Sequence, residues 1–328
     1  MIRLAVIGVG HMGNLHVQKW RQHSEVQLVG VYDSDPERLL SCAVDHGVRA
    51  FPTIEEAFAA ADAVTIATPS QTHAEIAHRA LEAGCHCLVE KPLATRASDA
   101  QHLVEIARRN GLVLMSGHIE RFNPAFVWLQ QQGVQPRFVE AHRLHPFRPR
   151  AVDVSVVLDV MIHDIDLLLV LLRSSVQRLE AHGVAVLTSM PDIANVRLVF
   201  TNGCVANVTA SRISTKFLRK MRLFQPSSYI ALDFAHHSVE QVLLRIGCGG
   251  LSEGEECLAQ WIAEDQVQRC ITRRFLELPS ADSLWEEQRA FIRAILEAAP
   301  PEAEIEQTLE ALRVVERAEQ ELMSYSAA

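Results

Sequence analysis

A short apolar run that empties into three spaced glycines constrains this chain more than any other feature. Leu4-Ala5-Val6-Ile7 leads into Gly8-Val9-Gly10-His11-Met12-Gly13, and an amphipathic stretch from Met12 to His23 follows. Strand, G-x-G-x-x-G turn and helix in that order form the dinucleotide fingerprint in the context it requires. Gly8 permits the tight turn, Gly10 removes the side chain that would block a pyrophosphate, and Gly13 lets the helix pack close to the strand. The phosphates then rest on the helix N-terminus, with His11 and Met12 in the turn beside them. A second apolar run, Val26 to Tyr32, ends in Asp33 at about the twenty-residue offset the fingerprint needs. That acid accepts hydrogen bonds from both ribose hydroxyls and repels the extra phosphate of NADP, so the cofactor is read as NAD.

A chain of 328 residues is too long for one ordinary core and suits two domains. A net charge of -9 excludes general nucleic-acid affinity, which needs clustered cations. No stretch reaches the roughly eighteen uninterrupted apolar residues of a membrane span. The start reads as a core strand rather than a signal peptide. Seven cysteines stand at 42, 85, 87, 204, 248, 257 and 270 without a C-x-x-C pair, which argues against a disulfide framework or zinc knuckle and for a reducing cytoplasm. Cys85 and Cys87 flank His86 on a predicted strand and read as core.

From the start to residue 119, apolar strands alternate with helix-period segments. The strands are Leu4 to Ile7, Val26 to Tyr32, Ala63 to Thr68, Cys87 to Val89 and Leu112 to Ser116; helices include Pro36 to His46, Thr72 to Ala83 and Ser98 to Asn110. That alternation predicts a Rossmann-type doubly wound parallel sheet whose ligands collect at the carboxyl ends of the strands, at Thr68-Pro69-Ser70 and Glu90-Lys91-Pro92. Residues 120–328 read as an α+β domain. Helices near Pro124 to Gln132 and Leu158 to Leu172 precede strands at Leu179 to Leu187, Asn195 to Phe200, Cys204 to Ser211, Tyr229 to Phe234 and Val242 to Ile246. Two helices, Leu284 to Glu297 and Glu302 to Met323, close the chain. Strand after strand predicts a largely antiparallel open sheet with helices on one face and a second subunit on the other, hence a homodimer or homotetramer.

Two clusters carry chemistry. Lys91 closes the fourth strand, where partial burial beside a cationic nicotinamide would draw its pKa towards neutrality and make it an acid or base. Asp159, His163 and Asp166 fall at i, i+4 and i+7, opposite an apolar face of Leu158, Met161, Ile162, Ile165, Leu168, Leu169 and Leu172. A histidine bracketed by carboxylates suits proton transfer. The same geometry suits a metal, but no further ligand stands at metal spacing, so none is expected. Between them, Gly117-His118-Ile119-Glu120-Arg121-Phe122-Asn123-Pro124 follows the fifth strand; Asn123-Pro124 reads as a helix cap.

G-x-G-x-x-G, E-K-P, R-F-N-P and D-x-x-x-H-x-x-D in this order resemble the Gfo/Idh/MocA family of NAD(P)-dependent sugar oxidoreductases, over both domains. The resemblance implies that Lys91 and His163 form the acid/base pair around the reacting carbinol and that Asp159 contacts or orients substrate. It also implies that Thr68, Pro69, Ser70, His73 and Glu90 line the cofactor. Glu120, Arg121 and Asn123 join the expected substrate contacts. Many members carry glycines just before the D-x-x-x-H helix; here the residues are Val154-Ser155-Val156-Val157-Leu158. With that departure, G-H-I-E-R-F-N-P and L-D-V-M-I-H-D-I-D are similar to a narrower group, the UDP-N-acetylglucosamine 3-dehydrogenases. Their 3-keto product usually passes to an aminotransferase on the way to lipid A or other surface glycans.

The cationic cluster Arg212, Lys216, Arg219, Lys220 and Arg222 fits a UDP-sugar diphosphate, with Arg212 as the expected contact. His142 to Arg150 is a second such stretch. Two alternatives remain: another sugar or inositol dehydrogenase of the same family, and a non-catalytic NAD-sensing or scaffold protein.

Overall fold

A computed structural model describes residues 1–148, 154–247, 249–299 and 302–326. Two compact units result: 1–119 with 282–316, and 120–281 with 317 onward. The second domain read from sequence as 120–328 therefore gives up 282–316 to the first.

In the first unit, β1 (Ile2–Ile7), β2 (Val26–Tyr32), β3 (Ala63–Ile66), β4 (His86–Glu90) and β5 (Leu114–Gly117) form a parallel sheet in the order β2-β1-β3-β4-β5. This is the expected doubly wound arrangement. Its strands are apolar runs because both faces are covered: β3 is buried along its whole length. The covering helices are α1 (His11–Trp20), α2 (Pro36–His46), α3 (Ile54–Ala60), α4 (His73–Glu82) and α5 (Ala97–Asn110). The sequence reading omits α3, although Thr53 caps it by accepting the Glu56 N–H at 3.2 Å. Cys85 and Cys87 lie in the core as expected, and burial pushes the Cys85 thiol up to about 11.

The second unit begins with α6 (Pro124–Gln130), β6 (Phe138–Leu144) and a helix whose first turn, Val157–Met161, is wound wide before α7 (Ile162–Leu172) continues in regular form. Eight strands follow: β7 (Val176–Val184), β8 (Ile193–Phe200), β9 (Val205–Ser211), β10 (Leu218–Gln225), β11 (Ser228–Asp233), β12 (Ser238–Ile246), β13 (Glu255–Ile262) and β14 (Gln268–Glu277). With β6 they make a nine-stranded sheet in the order β13-β14-β12-β11-β10-β6-β9-β8-β7. Every pairing is antiparallel except β6 with β9. The open, largely antiparallel sheet is as expected, but β6, β10, β13 and β14 are strands the sequence reading does not contain. Apolar side chains remain exposed at its β13 end, among them Ile246, Leu258, Trp261, Ile262 and Phe275.

The chain closes with α8 (Ser283–Leu296) and α9 (Glu302–Ser326). The first of these packs in the first unit, where Phe291 is buried against Trp20. No helix among the described residues is long and apolar enough to cross a membrane.

Candidate active site

The glycine loop fits a dinucleotide by its steric logic. Gly8 has φ +86°, and a Cβ there would stand 2.7 Å from Thr68 Cγ2; a Cβ on Gly13 would stand 1.9 Å from the Gly8 carbonyl oxygen. Both positions therefore demand glycine, one for the turn and one for the close approach of α1 to β1. A Cβ on Gly10 would meet nothing within 4 Å, so its missing side chain leaves the loop open on the side where a pyrophosphate approaches. The N-terminus of α1 has no side-chain cap and no acid in its first turn, so its N–H groups are available to an anion. His11 is exposed and Met12 half-buried at this end. Asp33, half-buried at the end of β2, accepts the Val9 N–H at 2.8 Å through Oδ2 and the Asp35 N–H at 2.9 Å through Oδ1. Each carboxylate oxygen keeps a further lone pair for a ribose hydroxyl.

The other strand ends of the same sheet gather Thr68, Pro69, Ser70, Glu90 and Lys91. His73 lies beneath them, 1% exposed, with Nδ1 2.7 Å from the Pro92 carbonyl oxygen and Nε2 2.8 Å from that of Thr68. Burial lowers the pKa of its ring against the pull of those two carbonyls. His73, expected to line the cofactor, is instead a buried pin between the loop after β3 and the loop after β4. The Lys91–Pro92 bond is cis. Lys91 is half-buried. Burial works against the charge of Glu90, but the His16 hydrogen bond and the neighbouring Lys91 outweigh it and hold the carboxyl below its usual range.

In the second unit, Asp159 and His163 are both half-buried. Asp159 lies in the wide turn, where the Ile162 N–H reaches back five residues to the Val157 carbonyl. Such turns recur at functional sites. The sequence implied a regular helix throughout, and the wide turn departs from it. Nor is the third acid on a solvated face: Asp166 is 1% exposed and takes Arg121 Nε at 2.8 Å, with a second bond from the same guanidinium.

Several expected substrate contacts turn out to be internal. Arg212 is 1% exposed; its Nε lies 2.8 Å from Asp192, and it donates further to the Val154 carbonyl and Thr188 Oγ1. It is a buried ion pair, not a diphosphate clamp. Two further members of the cationic cluster sit in cross-strand pairs. Lys220 faces Asp233 in register at 3.3 Å, and Arg222 faces Glu140 at 2.7 Å. In the other basic stretch Arg143 is buried, while Pro149 and Arg150 lie outside the described residues. Asn123 caps α6 by accepting the Ala125 N–H and donates to the Phe234 carbonyl, so it too serves the fold. Glu120 is 7% exposed and pairs through Oε1 with Arg143 at 2.8 Å and Arg219 at 3.1 Å. Its Oε2 is buried and makes no hydrogen bond to the described residues, which leaves an acceptor for a ligand.

Two residues of the first unit escaped sequence reading. His16 contacts Glu90, and Gln288 contacts His16. For His16 a signal existed, a polar residue on the buried stripe of α1 with Val17 and Trp20. For Gln288 there was none.

Comparison with known proteins agrees with the two-domain fold. A family model described as an oxidoreductase family with an NAD-binding Rossmann fold matches residues 2–118, and the GFO/IDH/MocA C-terminal domain matches 132–224. A UDP-N-acetylglucosamine 3-dehydrogenase of Acidithiobacillus ferrooxidans is 42% identical over 239 residues, 73% of this chain and 76% of that one. The solved structure of UDP-N-acetylglucosamine 3-dehydrogenase GnnA from the same organism superposes with a TM-score of 0.87 at 34% identity, over 99% of this chain and 98% of the other. A 4-carboxy-2-hydroxymuconate-6-semialdehyde dehydrogenase of Sphingobium is 34% identical over 134 residues, 40% of this chain and 42% of that one.

Proposed function

Because the chain belongs to the GFO/IDH/MocA oxidoreductase family, with an NAD-binding Rossmann domain, we propose that it oxidises the C3 hydroxyl of UDP-N-acetylglucosamine to a ketone. One observation carries the substrate assignment: the 42% identity to a UDP-N-acetylglucosamine 3-dehydrogenase runs over about three-quarters of both chains. NAD would be held by Gly8, Gly10, Gly13 and Asp33, with Thr68, Pro69 and Ser70 towards the nicotinamide, and when bound it supplies the hydride acceptor. The chain itself supplies orientation and proton handling. Lys91 and His163 are the proposed acid/base groups, one taking the hydroxyl proton, and Asp159 orients the sugar or the imidazole. Glu120 stays in the proposed substrate set through its open oxygen; Arg121, Asn123 and Arg212 leave it.

The proposal extends to context. A 3-keto nucleotide sugar is the substrate that a 3-aminotransferase of a lipid A or surface-glycan pathway consumes, and such a pathway places the enzyme in the cytoplasm. The exposed apolar side chains of the nine-stranded sheet support a homodimer or homotetramer.

The test is NADH formation with a panel of UDP-sugars and free polyols. Turnover of UDP-N-acetylglucosamine is expected. Turnover of a free inositol or sugar with none of UDP-N-acetylglucosamine overturns the substrate, and no NAD reduction with any alcohol overturns the enzyme reading. Lys91→Met should abolish turnover while NAD binding persists, and His163→Ala should lower turnover strongly; a His163→Ala rate equal to the parent's removes it from the mechanism.

A further inference from the structure

His16 stands three residues past Gly13 on α1 and is fully buried. Its Nε2 lies 2.9 Å from Glu90 Oε1, and its Nδ1 lies 3.1 Å from the side-chain nitrogen of Gln288, itself fully buried on α8. The Gln288 carbonyl oxygen lies 3.0 Å from Nε2 of His23, whose ring stacks on Trp285 at 3.6 Å and 11°. One assignment of protons satisfies every contact in this chain of bonds. An ionised Glu90 only accepts, so His16 carries its proton on Nε2. Its Nδ1 is then an acceptor, which the Gln288 amide N–H fills. The Gln288 oxygen is left to accept from His23 Nε2–H. In that assignment every donor points towards Glu90.

The carboxylate at the end of this chain is confined on its other side as well. Glu90 Oε2 lies 3.3 Å from the Lys91 backbone nitrogen, and a Cβ on Gly117 would stand 3.2 Å from it. The charged groups facing the network are few: Lys91 and His73 act on Glu90, and Glu25, Glu286 and Arg289 act on His23. We propose that His16 and Gln288 are positioning residues that hold the Glu90 carboxylate in one orientation and one charge state beside Lys91. The inference rests on the proposed catalytic role of Lys91. Without the His16 donor, the half-buried Glu90 keeps its desolvation cost and loses its hydrogen bond, so it takes up a proton at higher pH. Lys91 then loses the negative charge next to it.

Three variants and two readouts test this. His16→Phe fills the space but cannot donate; His16→Gln restores an N–H; Gln288→Leu removes the donor to His16 Nδ1. The expectation is a loss of kcat of about 100-fold in His16→Phe, the size a small displacement of a catalytic group produces, with most of it recovered in His16→Gln and NAD affinity close to the parent's in both. The kcat–pH profile should move in His16→Phe and Gln288→Leu. Carbon-13 NMR of labelled glutamate carboxyls, recorded without any sugar, should show Glu90 titrating at higher pH in the same two variants.

A purely structural role predicts otherwise: His16→Phe and His16→Gln fall together, and the pH profile keeps the parent's shape. That result, or an unmoved Glu90 titration, overturns the proposal. Should His16→Phe not fold, Gln288→Leu delivers both readouts. The carboxyl titration needs no substrate, and kcat is read with whichever alcohol the parent oxidises. Failure of the relay is thereby separated from failure of the substrate assignment.

Discussion

In the first domain the buried polar side chains His16, His23, His73 and Gln288 bond to one another, to backbone carbonyls and to Glu90. In the second, Arg143 pairs with Glu120 and Asp164, Arg121 with Asp166, and Arg212 with Asp192, all seven side chains being 9% exposed or less. One domain thus buries imidazole rings held by hydrogen bonds, and the other buries fixed charges held in pairs. The difference follows from the frameworks. Helices cover apolar strands in the parallel sheet, and a few rings tie strand ends together. In the open sheet, α7 brings Asp164 and Asp166 into the interior, and each needs a guanidinium there. Burying charge is tolerable only when it is paired and hydrogen-bonded, so the second domain is built to be intolerant of losing one partner.

The sharpest break of that comparison is Arg143→Met. It leaves Glu120 and Asp164 facing each other's environment without the guanidinium that joins them at 2.8 Å on each side. The expected loss is about 3–5 kcal/mol, read as a fall in the unfolding midpoint of the second domain. Replacing a paired buried charge is expensive because the survivors stay buried. A loss below about 1 kcal/mol would mean that these ion pairs are surface-like in energy, and the contrast between the domains would fail.

Acidification should separate the domains next. Burial lowers the pKa of His23, His73 and His86, all in the first domain, so their rings stay neutral when folded. The unfolded chain protonates them near pH 6.5. Below about that pH the unfolded state binds more protons than the folded one, so the stability they contribute is present above it and is lost as pH falls towards the folded values. In the second domain the carboxyls of Glu120, Asp192 and Asp233 are held below their ordinary range, burial being outweighed by arginine, lysine and backbone partners. Their contribution survives until pH falls below about 4. Hydrogen exchange followed by mass spectrometry from about pH 7 to about pH 5 should show first-domain amides losing protection while second-domain amides keep theirs. Loss in the reverse order would refute the assignment of acid sensitivity.

The same contrast explains what could be read from the sequence. The first domain was legible because its strands are continuous apolar runs punctuated by glycine, and α2 matches its expected bounds at both ends. The one helix left out, α3, had a signal in Thr53-Ile54-Glu55-Glu56, a capping box. The second domain hid β6 and β10 because their charged residues suggested a cationic surface. In fact those charges alternate with buried Val139, Ala141, Met221 and Leu223 and meet their partners across the sheet. Pairing across strands far apart in sequence leaves no local trace, and so Arg212 passed for a ligand contact. The site divides in the same way. The glycine loop and Asp33 are local features that can be read off a single short stretch, whereas His16 touches Glu90 from seventy-four residues away and Gln288 reaches His16 across two hundred and seventy-two.

A smaller effect tests the neutral side of the comparison. Trp20 Nε1 donates to Thr65 Oγ1 at 2.9 Å, both side chains fully buried in the first domain. Thr65→Val keeps the shape and removes the acceptor, leaving an indole N–H without a partner. About 1–3 kcal/mol of stability should be lost, less than for Arg143→Met because the stranded group is uncharged. A loss equal to that of Arg143→Met would show that burial alone, not charge, sets the cost. Thermal unfolding of both variants side by side decides between them.

The smallest effect is expected where charge is present but burial is not. Asp265 and Arg269 form a two-bond pair at the turn joining β13 and β14, at 2.6 and 2.8 Å, closer than several of the buried pairs. Geometry alone would rank it with Arg143–Asp164. Yet Asp265 stands in water, where its attraction to Arg269 is weakened by the high dielectric and screened by salt, and where either partner released by mutation is simply rehydrated. Asp265→Ala should therefore leave the unfolding temperature of the second domain unchanged within error at physiological ionic strength. A drop approaching that of Arg143→Met would mean that the cost in this domain tracks the number of bonds broken and not the desolvation of the charge left behind. The ranking Arg143→Met, Thr65→Val, Asp265→Ala separates these two explanations, because counting hydrogen bonds places the neutral Thr65→Val last and counting stranded buried groups places the exposed Asp265→Ala last.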